Sequence, residues 1–472
     1  MTASSTLPPS DQAVTAGAPR LSRAAGDAGP AAPVRIVHLG LGNFFRAHQV
    51  WYTDQAPDGA QWGIAAFTGR SVELAQALSA QDGLYTLINR GPSGDSCRVI
   101  GSVTAAHAGS DQAAWLDYLT RPEVVIVTLT VTEAGYVRGP DGGLDAGRVA
   151  DDLAALRRDP AAAVQTVPAR LVGGFAARRA AGAGAITVVS CDNLPDNGVV
   201  AARVVGNFAR LLDADLAGWI DRHVSFVTTM VDRITPATAA DDTRSVADQT
   251  HRTDTAPVVT EPFSEWVLSG DFPGGRPAWD AAGARFVDDI GPFEQRKLLL
   301  LNGGHSLLAY AGSARGHQSI AEAVTDPVCR EWLQQFWAEA TDQLTLPTDE
   351  VAGYRDALLE RFGNPRIKHL LAQIASDGSQ KMPIRVLPIV RAERARGRLP
   401  IGALRVLAAW INHLRGSGAP VKDGNAELLV PLAQGPLDEA VPRVLAYLDA
   451  DLAGDSAVLS AIADLCRRLE PA

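Results

Sequence analysis

A chain of 472 residues is too long for one ordinary core and implies two or three domains. With 46% hydrophobic and 20% charged residues it has the makeup of a soluble globular protein, and a formal net charge of −10 offers none of the basic surface that a nucleic-acid binder needs. The scattered cysteines Cys97, Cys191, Cys329 and Cys466 form no Cys-x-x-Cys pair, which argues against a disulfide framework or a metal site and for a reducing, cytoplasmic setting, and the longest apolar runs, such as Val124 to Val131, fall far short of the ~20 residues of a membrane helix.

Residues 1–33 are rich in Ala, Gly, Pro, Ser and Thr without a hydrophobic period, and predict a disordered tail with neither the basic start nor the apolar core of a signal peptide. Val34-Arg-Ile-Val-His-Leu39 alternates and is β-branched, as a strand should be. Gly40-Leu-Gly42 is then a turn, and the chain turns helical from Phe45. Further strands are expected at Trp62 to Phe67, Val124 to Thr132, Ile186 to Ser190 and Val224 to Val231, with alanine-rich helices such as Arg148 to Arg157 and Val199 to Leu212 between them. Strands alternating with helices predict a parallel α/β sheet, so residues 34–289 form a Rossmann-type dinucleotide-binding domain. From about residue 290 the periodicity is helical, at Ser306 to Ala314, Pro327 to Ala340, Glu350 to Phe362, Leu404 to Arg415 and Val441 to Leu448. Residues 290–472 are therefore expected to form a mostly α-helical substrate domain.

The Gly40-Leu41-Gly42 turn, followed by Asn43 and Phe44, stands between the first strand and the first helix. Glycines there let the backbone approach a pyrophosphate at the helix N-terminus, although the third glycine of the usual fingerprint is replaced by Phe45. At the end of the second strand, Phe67-Thr-Gly-Arg70-Ser71 has no acid for the ribose diol of NAD. Arg70 is available for the 2′-phosphate of NADP, for stacking on adenine, or for plain exposure, so NAD and NADP both stand.

Two segments carry candidate chemistry. Ser190-Cys-Asp-Asn193 follows a strand, where parallel folds place ligands, and Lys297-Leu-Leu-Leu-Leu-Asn302-Gly-Gly-His305 opens the helical half. In a continuous α-helix residues 297, 302 and 305 share an arc of ~140°. Oxidising a secondary alcohol needs a base for the hydroxyl proton and donors for the developing alkoxide. Only four of the 43 basic side chains are lysine, and arginine cannot act as this base because it keeps its proton. A neutral Lys297 can do so, Asn193 and Asn302 can donate amide N–H bonds, and His305 can orient substrate or relay a proton. Each also has a structural reading: a solvated helix end for Lys297, a turn for Asn193, a loop at Gly303-Gly304 and a core histidine at 305.

The motifs His38-Leu-Gly-Leu-Gly-Asn-Phe-Phe-Arg-Ala-His-Gln49, Thr128-Leu-Thr-Val-Thr-Glu-Ala-Gly-Tyr136, Ser190-Cys-Asp-Asn193, Val231-Asp-Arg-Ile-Thr-Pro236, Glu261-Pro-Phe263 and Lys297 through Tyr310 occur in that order over most of the chain. Together they resemble the mannitol dehydrogenase family, the polyol-specific long-chain dehydrogenases. The resemblance implies a Rossmann-type domain followed by a helical domain, no zinc, and often a monomer. It implies Lys297 as general base, Asn193 and Asn302 holding the reacting oxygen, His305 positioning substrate, and Asp232 near the nicotinamide. Phe45 departs from the histidine common at that place.

Asp377-Gly-Ser-Gln-Lys381-Met-Pro-Ile-Arg385 resembles the hexuronate-reducing branch, and Lys381 with Arg385 could bind a substrate carboxylate. The expected substrates are fructuronate or mannonate, then mannitol or fructose, with mannitol 1-phosphate as an alternative. A non-catalytic dinucleotide sensor would have lost the base and the alkoxide donors, all of which are present.

Overall fold

The computed structural model describes residues 18–69 and 71–469. The chain divides into two compact units, one ending at Ile290 and the other starting at Gly291.

The strands of the first unit are β1 (Val34–Leu39), β2 (Gly63–Phe67), β3 (Tyr85–Gly91), β4 (Gly94–Ile100), β5 (Val103–His107), β6 (Ile126–Leu129), β7 (Ile186–Ser190), β8 (Val224–Asp232), β9 (Val258–Thr260), β10 (Glu265–Ser269) and β11 (Arg285–Phe286). Eight of them form one sheet in the order β11-β10-β8-β7-β6-β1-β2-β5. The run from β8 to β5 is parallel throughout, and β10 joins β8 antiparallel. The winding reverses between β1 and β6, the place where such sheets open a crevice at their carboxyl ends.

Side chains of a strand alternate between faces, and here both faces are covered. Val37 and Leu39 of β1 join Trp115, Phe175, Phe208 and Ile220 on one side. Ile36 joins Phe45, Tyr52, Trp62, Leu78 and Trp266 on the other. A smaller sheet, β4-β3-β9, was not expected from the sequence; β3 and β4 are a hairpin closed at Gly91 and Gly94.

The expected tail ends earlier than residue 33. Leu21 is 1% exposed, and its N–H donates to Thr253 O at 3.2 Å. Arg23 Nη2 donates to Gly101 O at 2.6 Å, and Arg252 pairs with Asp27 at 2.7 Å. Single anchors of this kind leave no hydrophobic period for a sequence scan to find. Residues 1–17 lie outside the described part.

The second unit is helical. A continuous helical run covers Gly291–Arg296, Lys297–Asn302, Gly303–Leu307 and Leu308–Gly312, with π-turns over the second and fourth stretches. Ile401–Leu414 is buried on almost every side and packs on Pro327–Thr341 and Ser456–Leu469, as expected of a helix apolar all round. Gly303 and Gly304 form no loop. They lie inside the run, where a Cβ would meet the Phe336 ring at 2.6 Å and Trp337 Nε1 at 3.0 Å. Among the described residues no helix is long and apolar enough to cross a membrane.

Candidate functional site

In the first unit the expected site residues that the structure describes lie at the carboxyl ends of parallel strands. Gly40 follows β1 at φ +113°, and a Cβ there would sit 2.0 Å from Thr130 O. The turn is stitched to its neighbours: Gly40 N and Leu41 N donate to Phe67 O at 3.0 and 2.8 Å, and Thr130 Oγ1 donates to Gly40 O at 2.9 Å. Leu41 is buried. At Gly42 a Cβ would meet nothing nearer than Gly40 O at 3.6 Å, so no packing within the protein demands that glycine. A turn of this shape at the winding reversal fits a dinucleotide pyrophosphate.

Asn43 and Phe44 are tied into the scaffold. Asn43 Oδ1 accepts from Arg46 Nη2 at 2.7 Å, and Phe44 stacks on His48 at 5.0 Å. Phe45 stacks flat on His38, with ring centroids 3.4 Å apart. His38 hydrogen-bonds Thr128 and Thr130, and its burial pushes it down to about 3, so it is neutral. Arg70 lies outside the described residues.

Asn193 is exposed, in the loop between β7 and the helix Asn197–Leu212. Its neighbours fix that loop. Asp192 accepts from Thr132 N at 2.6 Å and Tyr136 OH at 2.7 Å, and Asn197 Nδ2 donates to Asp192 O at 2.9 Å. Burial pushes Asp192 up to about 6 despite these bonds. Thr132, a β-branched residue, holds φ +67°, an outlier that the Asp192 bond helps to secure. Sequence reasoning missed this clamp, although Thr132 and Tyr136 fall inside a motif it quoted. Asp232 ends β8, 3% exposed, opposite Glu265 of β10.

In the second unit Lys297 is half-buried and begins the first π-stretch. Arg296, by contrast, is buried beside Glu350 at 3.2 Å and over the Tyr354 ring at 4.0 Å. Gly303 N–H donates to Leu298 O, an i→i+5 bond. Such a turn rotates each residue by less than the ~100° of an α-helix, so the arc over 297, 302 and 305 closes below the expected ~140°. The sequence-based arc was too wide for that reason.

His305 is 7% exposed, stacked on Phe362 at 4.7 Å and edge-on to His369 at 4.8 Å. Burial first, then the charges of His369, Arg361, Arg385 and Lys381, hold it well below the usual histidine range. Arg385 Nη1 donates to Asn302 O and Ser306 Oγ, both at 3.2 Å. Asn302, His305 and Arg385 are thus brought together. Lys381 instead donates to the carbonyls of Ile374, at 3.0 Å, and Ser376; burial, and then Arg385, push it down to about 8.

Among the described residues one group has metal-ligand composition: His317, Asp326 and Cys329. Asp326 there accepts from Arg315 Nε at 2.6 Å and His317 Nε2 at 2.9 Å, and caps the helix Pro327–Thr341 through Val328 N. A guanidinium on the carboxylate makes this an ion-pair and capping node.

The model of the mannitol dehydrogenase Rossmann domain matches residues 34–281, and that of the mannitol dehydrogenase C-terminal domain matches residues 289–469. The chain is 38% identical to D-mannonate oxidoreductase of Escherichia coli K12 over 81% of this chain and 80% of the relative. It is 36% identical to mannitol 2-dehydrogenase of Cereibacter sphaeroides over 81% of each. Its fold is similar to that of Pseudomonas fluorescens mannitol 2-dehydrogenase, solved as a ternary complex with NAD and D-mannitol, at a TM-score of 0.77 and 34% identity over 93% and 92% of the two chains.

Proposed function

Because the chain belongs to the mannitol dehydrogenase family of oxidoreductases, we propose that it moves a hydride between NAD(P) and the secondary alcohol or ketone carbon of a hexonate or keto-hexuronate, with Lys297 as proton-transfer base. When bound, the nicotinamide takes up or returns the hydride. In the oxidative direction the alcohol O–H proton passes to the neutral Lys297 Nζ as the C–H electron pair leaves and C=O forms. In reduction the ammonium gives the proton back. Asn193 and Asn302 donate to the developing alkoxide, His305 positions the substrate, and Asp232 lies toward the nicotinamide. The Gly40–Gly42 turn receives the pyrophosphate.

Arg385 carries the substrate class. Its guanidinium is anchored on Asn302 and Ser306, and its Nε is buried without a hydrogen-bond partner among the described residues. A planar guanidinium suits a carboxylate, and the similarity to a D-mannonate oxidoreductase supports the same class. Lys381 supports this wall by bonding the carbonyls that precede it. The similarity to mannitol 2-dehydrogenases favours mannitol and fructose as the second reading.

The test is nicotinamide absorbance with fructuronate, fructose and fructose 6-phosphate, each with NADH and with NADPH. Fructuronate should show the highest kcat/KM. A preference of about ten-fold for fructose or its phosphate would overturn the carboxylate class.

A further inference from the structure

The helical unit gathers more nitrogen donors around His305 than the chemistry of alcohol oxidation uses. His305 Nε2, His369 Nδ1 and Arg385 Nε are all buried with no hydrogen-bond partner among the described residues. Leaving a buried polar atom unpaired carries a desolvation cost. Three in one neighbourhood are donors suited to a partner outside the chain.

Nothing in the local backbone explains the imidazole of His369. Its N–H donates to Ile367 O at 2.9 Å and its carbonyl accepts from Ile320 N at 3.1 Å, so the main chain is pinned without help from the side chain. The ring stands edge-on to His305 at 4.8 Å. Arg361, Arg385 and Lys381 all add positive potential at His305. Positive potential with unpaired N–H groups suits an anion with several acceptor oxygens.

We infer that His369, together with His305 and Arg385, receives the substrate's carboxylate and sets the preference for hexonates over neutral polyols. This rests on the carboxylate reading of Arg385 given above. A carboxylate oxygen at the shared edge of the two imidazoles would accept one N–H from each, while its second oxygen faces the guanidinium. Neutral imidazoles can serve, because either ring nitrogen can carry the donated proton.

The experiment compares fructuronate with fructose for the wild type, His369→Ala and His369→Asn, with melting temperatures recorded for all three. His369→Ala should raise KM for fructuronate about 10–100-fold and KM for fructose less than about 3-fold. His369→Asn, which keeps an N–H donor, should recover part of the loss. A measurement without substitution supplements it: gluconate should inhibit the wild type more strongly than sorbitol. Equal shifts on both substrates, no shift on either, or stronger inhibition by sorbitol would overturn the assignment of His369 while fructuronate turnover stands. A wild type inactive on fructuronate would overturn the carboxylate reading and this inference together.

Discussion

Adjacent residues 296 and 297 show why one cation cannot replace the other. Arg296 is spent on packing: its flat guanidinium lies over Tyr354 and reaches Glu350. Lys297, one step further along the run, can give up its proton, which arginine cannot. Lys297→Ala should lower kcat about 10²–10⁴-fold while the Kd for NADH moves less than about 3-fold. Lys297→Arg should be as inactive as Lys297→Ala, since it restores charge and not basicity. Stopped-flow binding beside steady-state rates checks both, and equal losses of turnover and cofactor affinity would remove Lys297 from the base role. Phe45 illustrates another kind of residue-level solution. It stacks flat on a neutral His38 whose two nitrogens bond threonines of β6 and the loop after it, so the departure from the family motif is absorbed by ring packing under the turn.

At the scale of elements, the turn after β1 separates two demands that one sequence motif combines. Gly40 is required by the protein's own backbone, which leaves no room for a Cβ at φ +113°; Gly42 is not. Gly40→Ala should therefore cost about 2–4 kcal/mol of stability and lower the melting temperature. Gly42→Ala should leave melting nearly unchanged and weaken NADH binding, because only the approach of a ligand calls for a bare backbone there. Melting curves and cofactor titration on both variants decide it; Gly42→Ala melting as low as Gly40→Ala would contradict the division. β1, β7 and β8 were legible because β-branched runs mark buried parallel strands. The strands β3, β4, β5, β9, β10 and β11 were not, being short or broken by glycine and polar residues. The π-turn that regroups 297, 302 and 305 has no sequence mark distinct from an α-helix. His369 lies between helices, in a stretch without periodicity, and its company is visible only once His305 meets it.

For the whole molecule, the buried titratable groups decide how each unit meets acid. A histidine held neutral binds fewer protons folded than unfolded, so its contribution is full above the unfolded pKa of about 6.5 and is lost as pH falls. Linkage sets the loss at ~1.4 kcal/mol per pH unit per proton. In the first unit His38, lowered to about 3, loses about 2 kcal/mol between pH 6.5 and 5. Asp192, raised to about 6, acts the other way: its charged form is disfavoured by burial, and protonating it between pH 6 and 5 returns about 1.4 kcal/mol. The two nearly offset. In the helical unit His305, His369 and His413 are all lowered, chiefly by burial, and all lose stability in the same direction. Carboxyls raised by burial, Asp54 in the first unit and Glu339 in the second, oppose the trend in both. Lower still, the helical unit also depends on Glu393, held down to about 2 chiefly by its bond from Arg398, a contribution that is lost as pH falls from about 4.5 toward 2. The helical unit should therefore weaken first. Hydrogen exchange at pH 7 and pH 5 should show protection falling more in Ile401–Leu414 than in β7 and β8. Equal losses, or an earlier loss in the strands, would show that the three histidines do not govern acid stability.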